Sequence, residues 1–145
     1  MTDSPPIILQ ATAVAIEGRA LLMEGPPGIG KSSLALALID RGAVLIGDDG
    51  VTLERHGDQA IASPPPNIAG LLEVRGVGLI NLPVADPTPV ALVLTLGETG
   101  ERLPDNAPTR DLLGIQVPVL PFLPGEIAPA RRAEIALAAH GMRAA

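Results

Sequence analysis

The chain is predicted to fold as an α/β domain, and three observations carry that expectation. Short apolar runs with the length of buried strands recur at residues 20–23, 43–46 and 90–96. A glycine-rich stretch, Gly25-Pro26-Pro27-Gly28-Ile29-Gly30-Lys31-Ser32, joins the first of these runs to a helix-forming segment at 33–40. A second helical pattern closes the chain at 129–142. At 145 residues the size is that of a single domain, 1–145, long enough to bury a core. Hydrophobic residues make up 47% and aromatics 1%, so that core must be built from Val, Ile, Leu and Ala around the one ring of Phe122.

Taken in order, residues 7–16 read as one β-strand, with Thr12, Val14 and Ile16 on one face and Ala13 and Ala15 on the other. Glu17-Gly18-Arg19 turns the chain into the strand at 20–23, making a hairpin. The helix at 33–40 ends on Arg41-Gly42, a basic last turn and a glycine cap. The strand at 43–46 runs straight into Gly47-Asp48-Asp49-Gly50. A second hairpin is expected from 51–55 and 60–62 around a four-residue turn, His56-Gly57-Asp58-Gln59, and Ser63-Pro64-Pro65-Pro66 is a stiff connector. Residues 71–81 place Glu73 and Arg75 in an apolar run whose glycines allow close backbone approach.

The run at 90–96 is a strong buried strand, and 97–114 reads as a polar surface loop followed by a short turn of helix. Residues 115–122 alternate, yet Pro118 and Pro121 confine them to an edge or a loop. Val117, Val119 and Phe122 then offer apolar surface for an interface. The closing helix carries Ile135, Ala138, Ala139 and Met142 as its apolar face.

Composition removes several function classes. A net charge of -6 leaves no basic stripe for a phosphodiester backbone, so nucleic acid is not an expected partner. No apolar run approaches the ~18 residues of a membrane span, and the start Met1-Thr2-Asp3-Ser4-Pro5-Pro6 lacks the basic and apolar regions of a secretory leader. The expected compartment is the cytoplasm, with no membrane partner. The absence of cysteine excludes thiol catalysis and cysteine-bound zinc, and His56 and His140 lack metal-ligand spacing.

The stretch from Gly25 to Ser32 matches the phosphate-binding pattern G-x-x-x-x-G-K-[ST] at every fixed position. Gly25, Gly28 and Gly30 let backbone N–H groups curl around phosphate oxygens. Lys31 supplies an ammonium for the β- and γ-phosphates, and Ser32 a hydroxyl for Mg²⁺. Pro26, Pro27 and Ile29 complete the loop, and Ser33 extends it into the helix. Lys31 is the only lysine of the chain, a compact phosphate-binding cation in a protein that otherwise uses arginine. Phosphoryl transfer also needs carboxylates, and Asp48 and Asp49 end an apolar strand one helix after Lys31. That is too early for an ordinary GTPase or ATPase layout and suits a strand that presents a catalytic carboxylate directly. The bland alternative is an Asx-type turn before Gly50.

The phosphate loop, Leu38-Ile39-Asp40-Arg41-Gly42, the strand ending in Asp48-Asp49 and Glu73-Val74-Arg75-Gly76-Val77-Gly78-Leu79-Ile80-Asn81 follow in an order that resembles the C-terminal catalytic domain of HPr kinase/phosphorylase. The resemblance covers residues 9–82. It implies a P-loop kinase fold of the phosphoenolpyruvate carboxykinase-like type, a mixed β-sheet with flanking helices. It also implies ATP- and Mg²⁺-dependent transfer to a serine of the phosphocarrier HPr within a phosphotransferase system, with reverse phosphorolysis, in a homo-oligomer that is usually a hexamer. On that resemblance Lys31 contacts the transferred phosphate, Ser32 and Glu73 hold Mg²⁺, and Asp49 takes the seryl proton; the residues themselves do not rank Asp49 above Asp48.

Departures from the family pattern are Gln10 where a histidine is usual, Ser33 where an acid is usual, and Leu123-Pro124-Gly125-Glu126-Ile127 without the family's loop arginines. They keep a second reading open, a nucleotide-binding regulatory module with weakened turnover. A third, a small-metabolite kinase, would use Arg102 and Arg110 as a lid.

Overall fold

Short apolar runs separated by glycine turns produce eleven strands and two helices among residues 5–102 and 104–143, which this computed structural model describes. The first four of the six residues at the start, and Leu103 of the polar loop, lie outside the described residues. The expected strand at 7–16 is two strands, β1 (Ile7–Leu9) and β2 (Thr12–Ile16), which break at Gln10 and Ala11 because they serve different partners. β2 pairs antiparallel with β3 (Arg19–Glu24) through Glu17-Gly18, whose φ values of 50° and 80° are those a two-residue type I′ turn requires. Helix α1 (Lys31–Asp40) follows, and β4 (Val44–Gly47) returns beside β2. β5 (Val51–His56) pairs with β1 and with β6 (Gln59–Ser63). Their turn is Gly57-Asp58, two residues rather than four, because His56 pairs with Gln59.

Residues 71–81 form a separate hairpin of β7 (Leu71–Val74) and β8 (Gly78–Asn81). Gly76 and Gly78 serve its turn, with φ of 78° and 127°, rather than a close approach, since a Cβ at either would meet nothing within 4 Å. β9 (Thr88–Leu96) is the centre of the large sheet. It runs parallel to β3 on one side. On the other, Thr88 and Pro89 take β6 antiparallel, and Val93 to Leu96 take β11 (Ile115–Phe122) parallel. The predicted turn of helix before residue 114 is instead β10 (Thr109–Leu112), paired with the first half of β11. Each half of β11 is therefore an edge on one side, and a strand with a free side accommodates Pro118 and Pro121. The result is a mixed sheet ordered β1-β5-β6-β9-β3-β2-β4, with the β10–β11 pair joined to the end of β9.

Alternation along β3 and β9 supplies two cores. Leu21, Met23, Leu92 and Leu94 face the helices, against Leu34 and Leu38 of α1 and Ala133 and Leu137 of α2 (Pro129–His140). Leu22, Val90 and Val93 face the other way, where the sheet curls around Val51, Leu53, Leu112 and Val117. Two expectations are corrected here. The buried stripe of α2 is Ala130, Ala133, Ala136 and Leu137, while Ile135 is 49% exposed: small residues three apart let α2 approach α1 more closely than an isoleucine would. Val117 and Phe122 are buried within the chain and offer no interface.

Arg41 beyond α1 donates two hydrogen bonds of 2.9 Å to Glu134 of α2. Those bonds, against the opposing effect of partial burial, hold the Glu134 carboxyl below its ordinary 4.5. A depressed carboxyl stabilises fully above its unfolded value and loses that contribution as pH falls through the folded one. Glu134→Gln is accordingly expected to lower Tm by roughly 1–3 °C at pH 7. The difference should vanish in acid, a trend that melts at several pH values check directly.

Candidate active site

The carboxyl end of β3 leads into a loop that only glycine could build at its first position. Gly25 has φ 154°, and a Cβ there would lie 2.9 Å from Cγ2 of Ile29 and 3.0 Å from the Leu96 carbonyl. Gly28 and Gly30 take φ of 83° and 111°, and Ile29 N–H donates to the Pro26 carbonyl at 3.2 Å. Gly30 is the N-cap of α1 and brings no capping side chain, so the first amides of the helix face outward without a side-chain partner. The Lys31 ammonium folds over the loop and donates to the Gly25 carbonyl at 2.5 Å. Below, Glu24 is clamped by two hydrogen bonds from Arg110, at 2.8 and 2.5 Å, which ties the base of the loop to β10.

Opposite the loop, the chain doubles back through Gly47-Asp48-Asp49-Gly50 so tightly that a Cβ on Gly47 would fall 2.0 Å from the Gly50 carbonyl. The two carboxylates leave this turn in different surroundings. Asp48 accepts from Ser32 Oγ at 2.7 Å, from the buried hydroxyl of Thr12 at 3.0 Å and from the Glu73 N–H at 3.1 Å. It joins β2, α1 and β7. Asp49 takes φ 62°, a left-handed conformation that aspartate tolerates better than most residues, and its N–H donates to Thr12 Oγ1 at 3.2 Å. Its side chain is 62% exposed, with Oδ1 3.8 Å from the Lys31 ammonium. Strained residues of this kind cluster at functional sites.

Between loop, turn and hairpin lies a cavity of about 210 Å³. It brings together Pro27, Gly28, Gly30, Lys31, Ser32 and Ser33 with Asp48, Asp49 and Glu73, residues that the sequence named. Gly25, Pro26 and Ile29 do not line it: Gly25 and Ile29 pack against each other under the loop, and Pro26 closes it through its carbonyl. Two contributors were not among the expected site residues, Arg75, which lines the cavity, and Thr12, which bonds Asp48. Arg75 lies two residues after Glu73, the spacing that puts side chains on one face of an extended segment. Thr12 was a polar residue in an apolar strand, which once buried must find a partner.

The oxygens of Ser32 and Glu73, which both line the cavity, are of the type that suits a hard cation such as Mg²⁺. The Ser32 proton is directed at Asp48, which leaves lone pairs of its oxygen free. Among the described residues no three His, Cys, Asp or Glu side chains gather as a metal site. Gln10 is exposed at the bend between β1 and β2. The loop at 123–127 is propped by Arg132, which donates to the carbonyls of Leu123 at 3.0 Å, Ile127 at 2.9 Å and Pro124, and stands 5.0 Å over the Phe122 ring.

A lysine, a hydroxyl and acidic groups gather over one helix N-terminus on a mixed sheet, an arrangement suited to an anionic ligand. Comparison with known proteins is more specific. The chain belongs to the HPr serine kinase C-terminal domain family, whose model matches residues 4–140. It is 33% identical over 137 residues to the HPr kinase/phosphorylase of Caldicellulosiruptor bescii, covering 84% of this chain and 44% of the relative. It is 34% identical to that of Clostridium tetani, covering 84% and 45%. The chain thus spans less than half the length of these curated relatives. The solved structure of the Hpr(Ser) kinase/phosphatase from Coxiella burnetii superposes with a TM-score of 0.75 at 31% identity, covering 90% of this chain and 88% of that one.

Proposed function

We propose that the chain is an ATP- and Mg²⁺-dependent serine kinase whose acceptor is the phosphocarrier HPr, with reverse phosphorolysis at the same cavity, on a fold of the phosphoenolpyruvate carboxykinase-like type. The observation that carries this reading is the pairing of Asp49 with Lys31 across the mouth of the cavity, at 3.8 Å. The phosphate loop and Lys31 hold the triphosphate. Ser32 and Glu73 hold Mg²⁺, which when bound offsets phosphate charge. The seryl oxygen attacks the γ-phosphorus, the bond to the β-bridging oxygen breaks, and Asp49 takes the seryl proton as ADP leaves. In phosphorolysis an oxygen of inorganic phosphate attacks the phosphorus of phosphoserine, the bond from phosphorus to the seryl oxygen breaks, Asp49 gives that oxygen its proton, and pyrophosphate is the product. Asp48 positions Ser32 and β7 rather than touching substrate. The same reading puts the protein in the cytoplasm, as a homo-oligomer and by resemblance a hexamer; among the described residues no helix is long and apolar enough to cross a membrane.

The regulatory-module reading is favoured by Gln10 and by a 123–127 loop whose neighbouring guanidinium, Arg132, is spent on carbonyls of its own chain. Labelled γ-phosphate from ATP and Mg²⁺, offered with HPr from the same organism, separates the two. Label on an HPr serine supports the kinase. ATP bound without transfer supports the module.

A further inference from the structure

The catalytic cavity accounts for only one end of a bound nucleotide. β3, β9 and β11 run parallel, and their carboxyl ends deliver the phosphate loop, Gly97 and the Leu123-Pro124-Gly125 loop to one edge of the sheet. Ligands of α/β sheets sit in crevices at that edge. Here the crevice is a groove of about 560 Å³ between Ile29 and Leu34 on one side and Leu123, Pro124 and Pro129 on the other. It shares Gly30 and Ser33 with the catalytic cavity, so the two are continuous along the start of α1. Their chemistry differs sharply. The cavity is walled by Lys31, Asp48, Asp49, Glu73 and Arg75, whereas the groove lining contains no charged side chain.

We infer that this groove holds the nucleoside of the triphosphate, its neutral base flat between Ile29 and Leu123, an assignment that rests on the nucleotide reading proposed above. It fixes the polarity of the ligand. The γ-phosphate lies toward Asp49 and Lys31, the α-phosphate toward Ser33, and the base beyond Gly97. Without an aromatic platform, base binding depends on aliphatic and proline contacts and discriminates little between purines. Leu123, 48% exposed, is the contact that can be changed without disturbing the core.

The test compares Mg-ATP with Mg-tripolyphosphate, by calorimetry, on the wild-type chain and on Leu123→Asn. Wild type should bind ATP more tightly than tripolyphosphate. The variant should lose about 5- to 10-fold in ATP affinity, the equivalent of part of one leucine contact, with tripolyphosphate binding unchanged. Intact tripolyphosphate binding also reports that the variant is folded. Tripolyphosphate bound as tightly as ATP by wild type, or ATP affinity unaltered in the variant, overturns the groove assignment alone. Neither ligand binding to wild type overturns the nucleotide reading, and this one with it.

Discussion

Asp49→Asn is expected to reduce phosphoryl transfer to HPr by about 10²- to 10⁴-fold, the usual worth of a positioned base. The substitution keeps the shape of the side chain, and asparagine accepts the left-handed φ of 62° as readily as aspartate. At 62% exposure the carboxylate has water around it, and its one ion pair, with Lys31 at 3.8 Å, is too long for a hydrogen bond. Melting temperature and ATP affinity should therefore stay close to wild type while turnover collapses. Steady-state transfer read beside a nucleotide titration makes the distinction. Transfer persisting in the variant would remove Asp49 from the chemistry.

Asp48→Ala should give a different signature, a loss of stability together with a loss of activity. Its carboxylate accepts from Thr12, Ser32 and the Glu73 N–H. Hydrogen bonds to a charged acceptor are the stronger kind, and removing this one strands the hydroxyl of a fully buried threonine. A cost of about 2–4 kcal/mol, or roughly 5–15 °C in Tm, is expected for a domain of this size. Asp48→Asn should fall between, since its carbonyl can still accept from Ser32 and Thr12 while its amide would face the Glu73 N–H as a second donor. Thermal melts of the two variants rank them. An Asp48→Ala protein that melts like wild type would show that the turn is held by Gly47 and Pro65 instead, the latter packing 3.1 Å from where a Gly47 Cβ would stand.

What sequence could reveal here was whatever short-range chemistry dictates. The phosphate loop, the β2–β3 hairpin and the termination of α1 at Arg41-Gly42 each depend on glycines and turn residues within a few positions, and all were legible. β10 was not. Thr109-Arg110-Asp111-Leu112 has one buried residue, and its extended form comes from pairing with β11 and from Arg110 reaching Glu24, 86 positions earlier. The face of α2 was misread because hydrophobicity favours Ile135, while packing against α1 favours alanine. At the site, residue types pointed to Lys31, Ser32 and the carboxylates. The separate surroundings of Asp48 and Asp49 came only with Thr12 and Glu73, which belong to strands far apart in the chain.

The central position of β9 bears on how the molecule comes to exist. Every residue assigned to the catalytic cavity lies before position 76, yet β3, from which the phosphate loop springs, has its parallel neighbour only at Thr88–Leu96. The β2–β3, β5–β6 and β10–β11 hairpins close locally and early. The loop acquires its rigid footing only when a strand synthesised some 65 residues later docks between β3 and β6, a non-local event that slows folding. On the ribosome, a nascent chain that has emerged only as far as Asn81 already carries the whole signature and still lacks the strand that aims it. The second half of the chain therefore supplies the footing of this cavity and none of its lining.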